Sequence, residues 1–377
     1  MIEPTSQERL APGFLGGLDE CAAVVDLSPS GRERWRRAFE SLPEGDVYYH
    51  PGYALVLERN SEGSARCLIL ETGDGLLLYP FLVRPIPELL RRAVGVDAEL
   101  FDIVTPYGYG GPALHGRAPG AEDRLLRRCR EQLATYASEE GIVAEFVRFH
   151  PVLGNHRGDP SGLRLEQRSR TVAVDLAREE SRLWAELAPS CRNKARRAEK
   201  AGVVVEEDTG LRHLEAFHRN YLETMRRAGA AASYHYPRQF FIDTLELLRG
   251  DARLFVARLG DRVVNAALVL QRGPHAHYHF SGSDPEAHVP GANNWLLFQV
   301  ALWARARGAR TFHLGGGRHP DDSLFQFKAS FSPVHLEFWT GTACHDPEAY
   351  RRLSAAAAAL RPPGAPVDPG FFPAYRA

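Results

Sequence analysis

The chain has 377 residues, 44% hydrophobic and 25% charged, and its 46 Lys and Arg against 47 Asp and Glu leave a formal charge of −1. That balance describes a globular protein with room for roughly two domains, and it excludes a chain-wide electrostatic grip on nucleic acid, so any polyanion must meet a local patch. Apolar runs such as Leu76–Leu78 and Ala355–Leu360 fall far short of the ~20 residues that cross a bilayer. Cys21, Cys67, Cys129, Cys191 and Cys344 are odd in number, scattered and without a C-x-x-C pair, which excludes a disulfide framework or zinc knuckle and suits a reducing, cytoplasmic location.

Residues 1–20 carry Pro4, Pro12, Gly13, Gly16 and Gly17 without apolar periodicity and read as a loose lead-in. Strands are then expected at Cys67–Glu71 and Leu76–Val83 about Gly73-Asp74-Gly75, a helix at Glu122–Glu140 and a strand at Val143–His150. The second half repeats this order. Helices at Ser181–Ala201, Leu211–Arg227 and Arg238–Leu248 precede a hairpin of Leu254–Arg258 and Val263–Gln271 about Gly260-Asp261. A strand at His277–Gly282, a helix at Asn293–Arg307, a strand at Thr311–Leu314, a short helix at Ser323–Phe331 and a last strand at His335–Thr340 follow. After Asp346-Pro347 a helical run stops at Pro362-Pro363, and Phe371, Phe372 and Tyr375 supply groups that dock. The expected organisation is α/β (α+β): a loose segment (1–20), an N-terminal unit (21–172), a catalytic C-terminal unit (173–345) and a helix with a Pro-rich docking tail (346–377). The repeated order implies internal duplication.

No G-x-x-x-x-G-K-[ST] and no G-x-S-x-G occurs, which removes the usual P-loop nucleotidases and most α/β-hydrolases. His275, His277 and His279 sit at period two and so share one strand face. No acidic or cysteine ligand accompanies them, so a wet strand face outweighs a metal site, and no metal is expected.

Arg192 to Lys200 holds five basic side chains and one acid, the most basic stretch of the chain. On a helix Arg192, Arg196 and Lys200 form a stripe suited to phosphates, with Ala195 and Ala198 facing inward; a plain solvated face is the competing reading. Thr105-Pro106-Tyr107-Gly108-Tyr109-Gly110-Gly111-Pro112 is an irregular loop whose tyrosines suit a binding edge, and Arg148-Phe149-His150-Pro151 ends the next strand. Leu314-Gly315-Gly316-Gly317 leaves a strand for a helix, where unshielded N–H groups suit an anion nest. With Ser281-Gly282-Ser283-Asp284, Gly291-Ala292-Asn293-Asn294-Trp295 and Phe325–Phe331 it makes four motifs at strand–helix junctions, where open α/β sheets bind ligands.

The order of these motifs resembles the Fem family, aminoacyl-tRNA-dependent peptidyltransferases built from two tandem acyltransferase units of the GNAT superfamily. The resemblance rests on the Arg192-Asn193 helix with Ala198 and Gly202, the Ser281-Gly282-Ser283 strand end, the Asn293-Asn294-Trp295 helix start, Phe312-His313-Leu314-Gly315-Gly316, Phe327-Lys328-x-x-Phe331, the Tyr107–Pro112 loop and Arg148–Pro151. It implies two GNAT-like units sharing a cleft, transfer of an amino acid from a charged tRNA to an amine of a peptide or cell-wall precursor, peripheral contact with a membrane-linked precursor, and no bound cofactor. No heptad run leaves room for the coiled-coil arm of the longest members. An acyl-CoA is the alternative donor, but the [RQ]-x-x-G-x-[GA] loop expected between Ser283 and Asn293 is missing; a non-catalytic binding module is the third reading. Building charge on an ester carbonyl calls for preorganised donors. Amides near Ser281–Ser283 and the Lys328 ammonium are the expected catalytic groups, and Tyr107, Tyr109, Arg148, Arg192, Asn193, Arg196, Asn294, Gly315, Gly316 and Phe327 the expected substrate-binding residues.

Overall fold

A computed structural model describes residues 21–158, 162–287, 289–362 and 370–377. The loose lead-in and positions 363–369 of the Pro-rich tail lie outside the described residues. The chain divides into two compact units, one of residues 1–167 with 339–377 and a second of residues 168–338. The sequence reading instead divides the chain at 172/173 and sets 346–377 apart. In the structure the C-terminal helix belongs with the first unit, because its Leu353 packs on Ile86, Leu90, Val143 and Ala144 of that unit.

The first unit begins with β1 (Cys21–Val25), α1 (Pro29–Glu40), α2 (Pro51–Arg59), β2 (Ser64–Thr72), β3 (Gly75–Pro85) and α3 (Glu88–Ala93). It continues through β4 (Phe101–Val104), β5 (Ala113–Gly116), α4 (Ala121–Glu139) and β6 (Ile142–Arg148). Pro29 presets the first turn of α1, and the Ser28 hydroxyl accepts from the Gly31 amide at 3.3 Å. The apolar run Gly75–Val83 is buried along its whole length, as a strand covered on both faces must be. Strand order is β1-β2-β3-β4-β6, with β5 beside β3 and β4 parallel to β6. α4 lays Leu125, Leu126, Cys129, Leu133 and Ala137 on that sheet.

β7 (Arg164–Asp175) leads into the second unit: α5 (Glu180–Glu186), α6 (Pro189–Lys200), β8 (Val204–Glu207), α7 (Leu214–Arg227), α8 (Arg238–Leu247), β9 (Ala252–Leu259), β10 (Arg262–Arg272) and β11 (His275–Ser283). Then come α9 (Ala292–Ala306), β12 (Thr311–Gly316), α10 (Ser323–Ala329), β13 (His335–Cys344) and α11 (Pro347–Leu360). The single helix expected over 181–201 is two helices. Pro189 forces the residue before it out of helical conformation, and Leu187 and Ala188 are both extended. Strand order is β7-β12-β11-β10-β9-β8, with β11 parallel to β12 across the helix α9. α5, α6 and α9 cover one face through Leu183, Cys191, Ala198, Leu296, Leu297 and Val300. Phe217, Tyr221, Phe240 and Phe241 of α7 and α8 cluster on Phe280.

Each unit therefore has an antiparallel run, a parallel pair bridged by a helix, and an antiparallel last strand, which bears out the duplication. That last strand comes from the other half of the sequence: Thr340–Cys344 of β13 pair with β6, and Thr171–Asp175 of β7 pair with β12. The longest described helix, α4, has 19 residues, so nothing among the described residues resembles a coiled-coil arm, and no described helix is long and apolar enough to cross a membrane.

Gly282 is where α7 meets β11. A Cβ there would lie 2.4 Å from the Tyr221 amide nitrogen and 2.5 Å from the Asn220 carbonyl carbon. Backbone cannot yield as a side chain does, so Gly282→Ala is expected to cost about 1–3 kcal/mol of stability, read as a lower urea midpoint.

Candidate active site

The parallel strands β11 and β12 are paired only from His275–Thr311 to His277–His313. Beyond that point β11 runs on to Ser283 and β12 to Gly316 without pairing to one another, which opens a gap at their carboxyl ends inside the second unit. β11 also carries one extra residue at its entrance. Tyr278 faces Val269 and Phe280 faces Leu268, so the register skips His279. This β-bulge re-aims the strand. It breaks the period that would keep His275, His277 and His279 on one face, and in place of a wet face the structure buries His275 and His277. Burial, then the neighbouring His277, lower the His279 pKa to about 3, so the ring is neutral.

Lys328 lies at this gap. Asp322 opens α10 as its N-cap, accepting from the Phe325 amide at 2.8 Å, and the helix carries the Lys328 ammonium to the Gly316 carbonyl at 2.7 Å. Lys328 is 9% exposed. Burial lowers its pKa to about 8, with the Asp322 carboxylate pulling the other way. An ammonium has three donors, and Gly316 is its one hydrogen-bond acceptor among the described residues. Phe325 and Phe331 beside it are buried, and Phe327 packs half-buried against the same core.

The turn just beyond Gly315–Gly317 holds a carboxylate of this chain. The Asp322 carboxylate also accepts from the amides of Arg318 at 2.8 Å and His319 at 3.2 Å, and a Cβ on Gly317 would lie 2.2 Å from it. Burial raises the Asp322 pKa, but the Phe325, His319 and Arg318 amides outweigh it and hold the carboxyl below its usual range. Gly315, at φ 79°, turns the chain at the β12 irregularity, and Gly316 contributes its carbonyl rather than its N–H.

Other expected site residues are committed to the fold. The Ser283 amide donates to the Thr224 hydroxyl at 3.1 Å, and its own hydroxyl accepts from Arg227 at 2.8 Å, so this amide is not an open donor. The Ser281 hydroxyl meets the phenol of half-buried Tyr278, as does Asn293. Asn294 is buried and donates to Cys191 Sγ at 3.1 Å, joining α9 to α6. Arg192 caps α5 through the carbonyls of Ala185 and Leu187, and Arg196 lies over Trp184 at 5.3 Å. The stripe is thus half anchored to α5, while Asn193, Lys194, Arg197 and Lys200 are exposed and Ala195 and Ala198 are buried as expected.

Tyr107, Tyr109 and Arg148 gather in the first unit. Tyr53 donates to the Tyr107 carbonyl at 2.8 Å and Tyr49 to the Gly110 carbonyl at 3.0 Å. Tyr109 packs edge-on against Tyr48 and His150 at 5.6 and 5.7 Å. At Gly108, φ 92°, a Cβ would meet the Tyr48 ring at 2.5 Å. Arg148 stands over Phe146 at 5.1 Å, and its amide donates to the Thr105 hydroxyl. Buried Asp46 reaches His150 Nε2 at 3.4 Å. Motif reading missed Tyr48, Asp46, Tyr278 and Asp322; only Asp322, directly before a helical Ser323, carries a readable cap signal.

Residues 185–328 match the acetyltransferase (GNAT) domain family, a segment running from α5 to Lys328 itself. Among solved structures the chain is similar to FemX, with a TM-score of 0.64 at 15% identity over 87% of this chain and 98% of that one. It is also similar to L-PGS from Bacillus licheniformis, with a TM-score of 0.55 at 12% identity over 90% and 99%. No curated protein matches by sequence. Residues 185–328 are thus a GNAT acyltransferase domain, in a chain that has the fold of FemX.

Proposed function

We propose that this acyltransferase moves an amino acid from the ester of a charged tRNA to an amine of a peptide or cell-wall precursor. The observation that carries the reading is the buried Lys328 ammonium at the mouth of the β11–β12 gap, with donors to spare for a developing anion. The acceptor amine attacks the ester carbonyl carbon, and the carbonyl oxygen takes the negative charge, which Lys328 stabilises. The tetrahedral centre then collapses, the carbon–oxygen bond to the ribose breaks, the ribose oxygen takes a proton, and the amine nitrogen loses one through water. No protein nucleophile is needed. The Fem resemblance supports a tRNA donor and a peptide or membrane-linked acceptor, and the absence of a described membrane-crossing helix suits a cytoplasmic enzyme reaching such an acceptor from the side.

An acyl-CoA is the alternative donor, and the start of α9 weighs against it. Pyrophosphate would need the open amides of that helix N-terminus. There Gly291, at φ 87°, runs so close to α6 that a Cβ would lie 2.0 Å from the Lys194 carbonyl oxygen. Incubation of the purified chain with aminoacyl-tRNA, and separately with acetyl-CoA, across a panel of amines distinguishes the two. Amine-dependent deacylation of the tRNA is expected; consumption of the thioester alone overturns the donor assignment, and inactivity with both favours a binding module.

A further inference from the structure

From the surface of α6 we infer that this chain, with no coiled-coil arm among its described residues, grips the single-stranded end of its RNA donor with the exposed cations of that helix, which lead along the α5–α6 junction to Lys328. The inference rests on the charged-tRNA reading above and adds the surface that holds the RNA.

Three observations support it. First, the outward face of α6 is polar throughout: Asn193, Lys194, Arg196, Arg197, Glu199 and Lys200 are exposed, four of them cationic and one acidic. With Cys191, Ala195 and Ala198 turned inward, helical spacing sets Asn193, Arg197 and Lys200 on one line away from the core. Second, this face borders aromatic rings. Arg196 lies over half-buried Trp184, Trp184 meets Phe298 edge-on at 4.8 Å, and half-buried Trp295 stacks near Phe298 at 6.3 Å. Cations for phosphates beside ring faces for bases are what a single strand needs. Third, the track ends at the reacting group. The Ala188 amide at the α5–α6 junction donates to the Ser330 carbonyl at 2.8 Å, two residues beyond Lys328.

A membrane is the other polyanionic surface such a helix meets. A lipid-facing helix buries apolar side chains between the headgroups, and the outward face of α6 has none, so the observations favour RNA.

The test uses the full chain and a labelled RNA minihelix ending in single-stranded ACCA, with affinity read by fluorescence anisotropy at 50 and 200 mM KCl. Arg197→Glu/Lys200→Glu is expected to weaken binding at least ~10-fold at the lower salt and to flatten the dependence of log K on log salt by one to two contacts' worth. Should the double reversal fail to fold, Arg197→Gln/Lys200→Gln carries the test in the same direction. An unchanged affinity and slope overturns the inference yet leaves the donor reading intact if the parent still deacylates charged tRNA. Binding of the parent to phosphatidylglycerol vesicles and not to the minihelix reassigns the face to membrane. A parent that binds no minihelix and uses only the thioester overturns the donor reading itself.

Discussion

Lys328→Met is expected to lower turnover on the order of a hundredfold while leaving the thermal midpoint at neutral pH unchanged or raised. Methionine keeps the apolar stem between Phe325 and Phe331 and removes only the charge. The stability half of the expectation follows from burial. Holding a lysine at a pKa of about 8 against the ordinary 10.5 corresponds to a burden on the order of 3 kcal/mol on the charged form. Relief of that burden opposes the roughly 1–3 kcal/mol of leaving the Gly316 carbonyl without its donor. A purely structural lysine gives the opposite pattern, with a lower midpoint and turnover within a few-fold of the parent, and that outcome removes Lys328 from the mechanism. Single-turnover rates with charged tRNA, beside a thermal melt of each protein, distinguish the two.

Raising the pH is expected to move activity and stability in opposite directions. Catalysis needs the ammonium, so kcat/KM falls about tenfold per pH unit above about 8. A bound anion favours the charged form, so the corresponding limb in kcat lies higher. For stability the sign reverses. The folded-state pKa is depressed, so between about 8 and 10.5 the unfolded chain binds more protons than the folded one, and the stability of the parent rises relative to Lys328→Met across that window. Urea midpoints of both proteins between pH 7 and 10 measure the difference, and parallel curves overturn it.

Much of this architecture is legible in local sequence. Alternating apolar runs mark β9, β10 and β11 to within a few residues, and the Ala195 and Ala198 spacing marks the inward face of α6. Phe327-Lys328 stands where a short helix leaves a glycine-rich strand exit, and the structure puts its ammonium at that exit. Illegible features depend on partners distant in sequence. Arg192 and Arg196 read as a free stripe because α5, which they hold, is separate only once Pro189 has broken the helix. The glycines of 315–317 read as an anion nest, whereas the amides that hold an anion are those of Arg318 and His319 just beyond them, and the anion is this chain's own Asp322. The histidines read as one face because period two assumes a regular strand, and the bulge at His279 is set by pairing with β10. Domain division eludes the sequence for a related reason: β7 follows the first unit in the chain but its second half belongs to the sheet of the second.

This exchange of last strands bears on the order in which the protein is made. Asp102 is 1% exposed and sits between Arg84 of its own hairpin and Arg376, a residue that leaves the ribosome after the whole second unit. β6 likewise waits for Thr340–Cys344. The second unit has all its strands as soon as residue 338 is clear of the exit tunnel, whereas the first unit, although begun earlier, stays open along one edge until residues 340–344 follow. Vectorial synthesis thus supplies every strand of the second unit first and uses residues that follow it to close the sheet of the unit that was started before it.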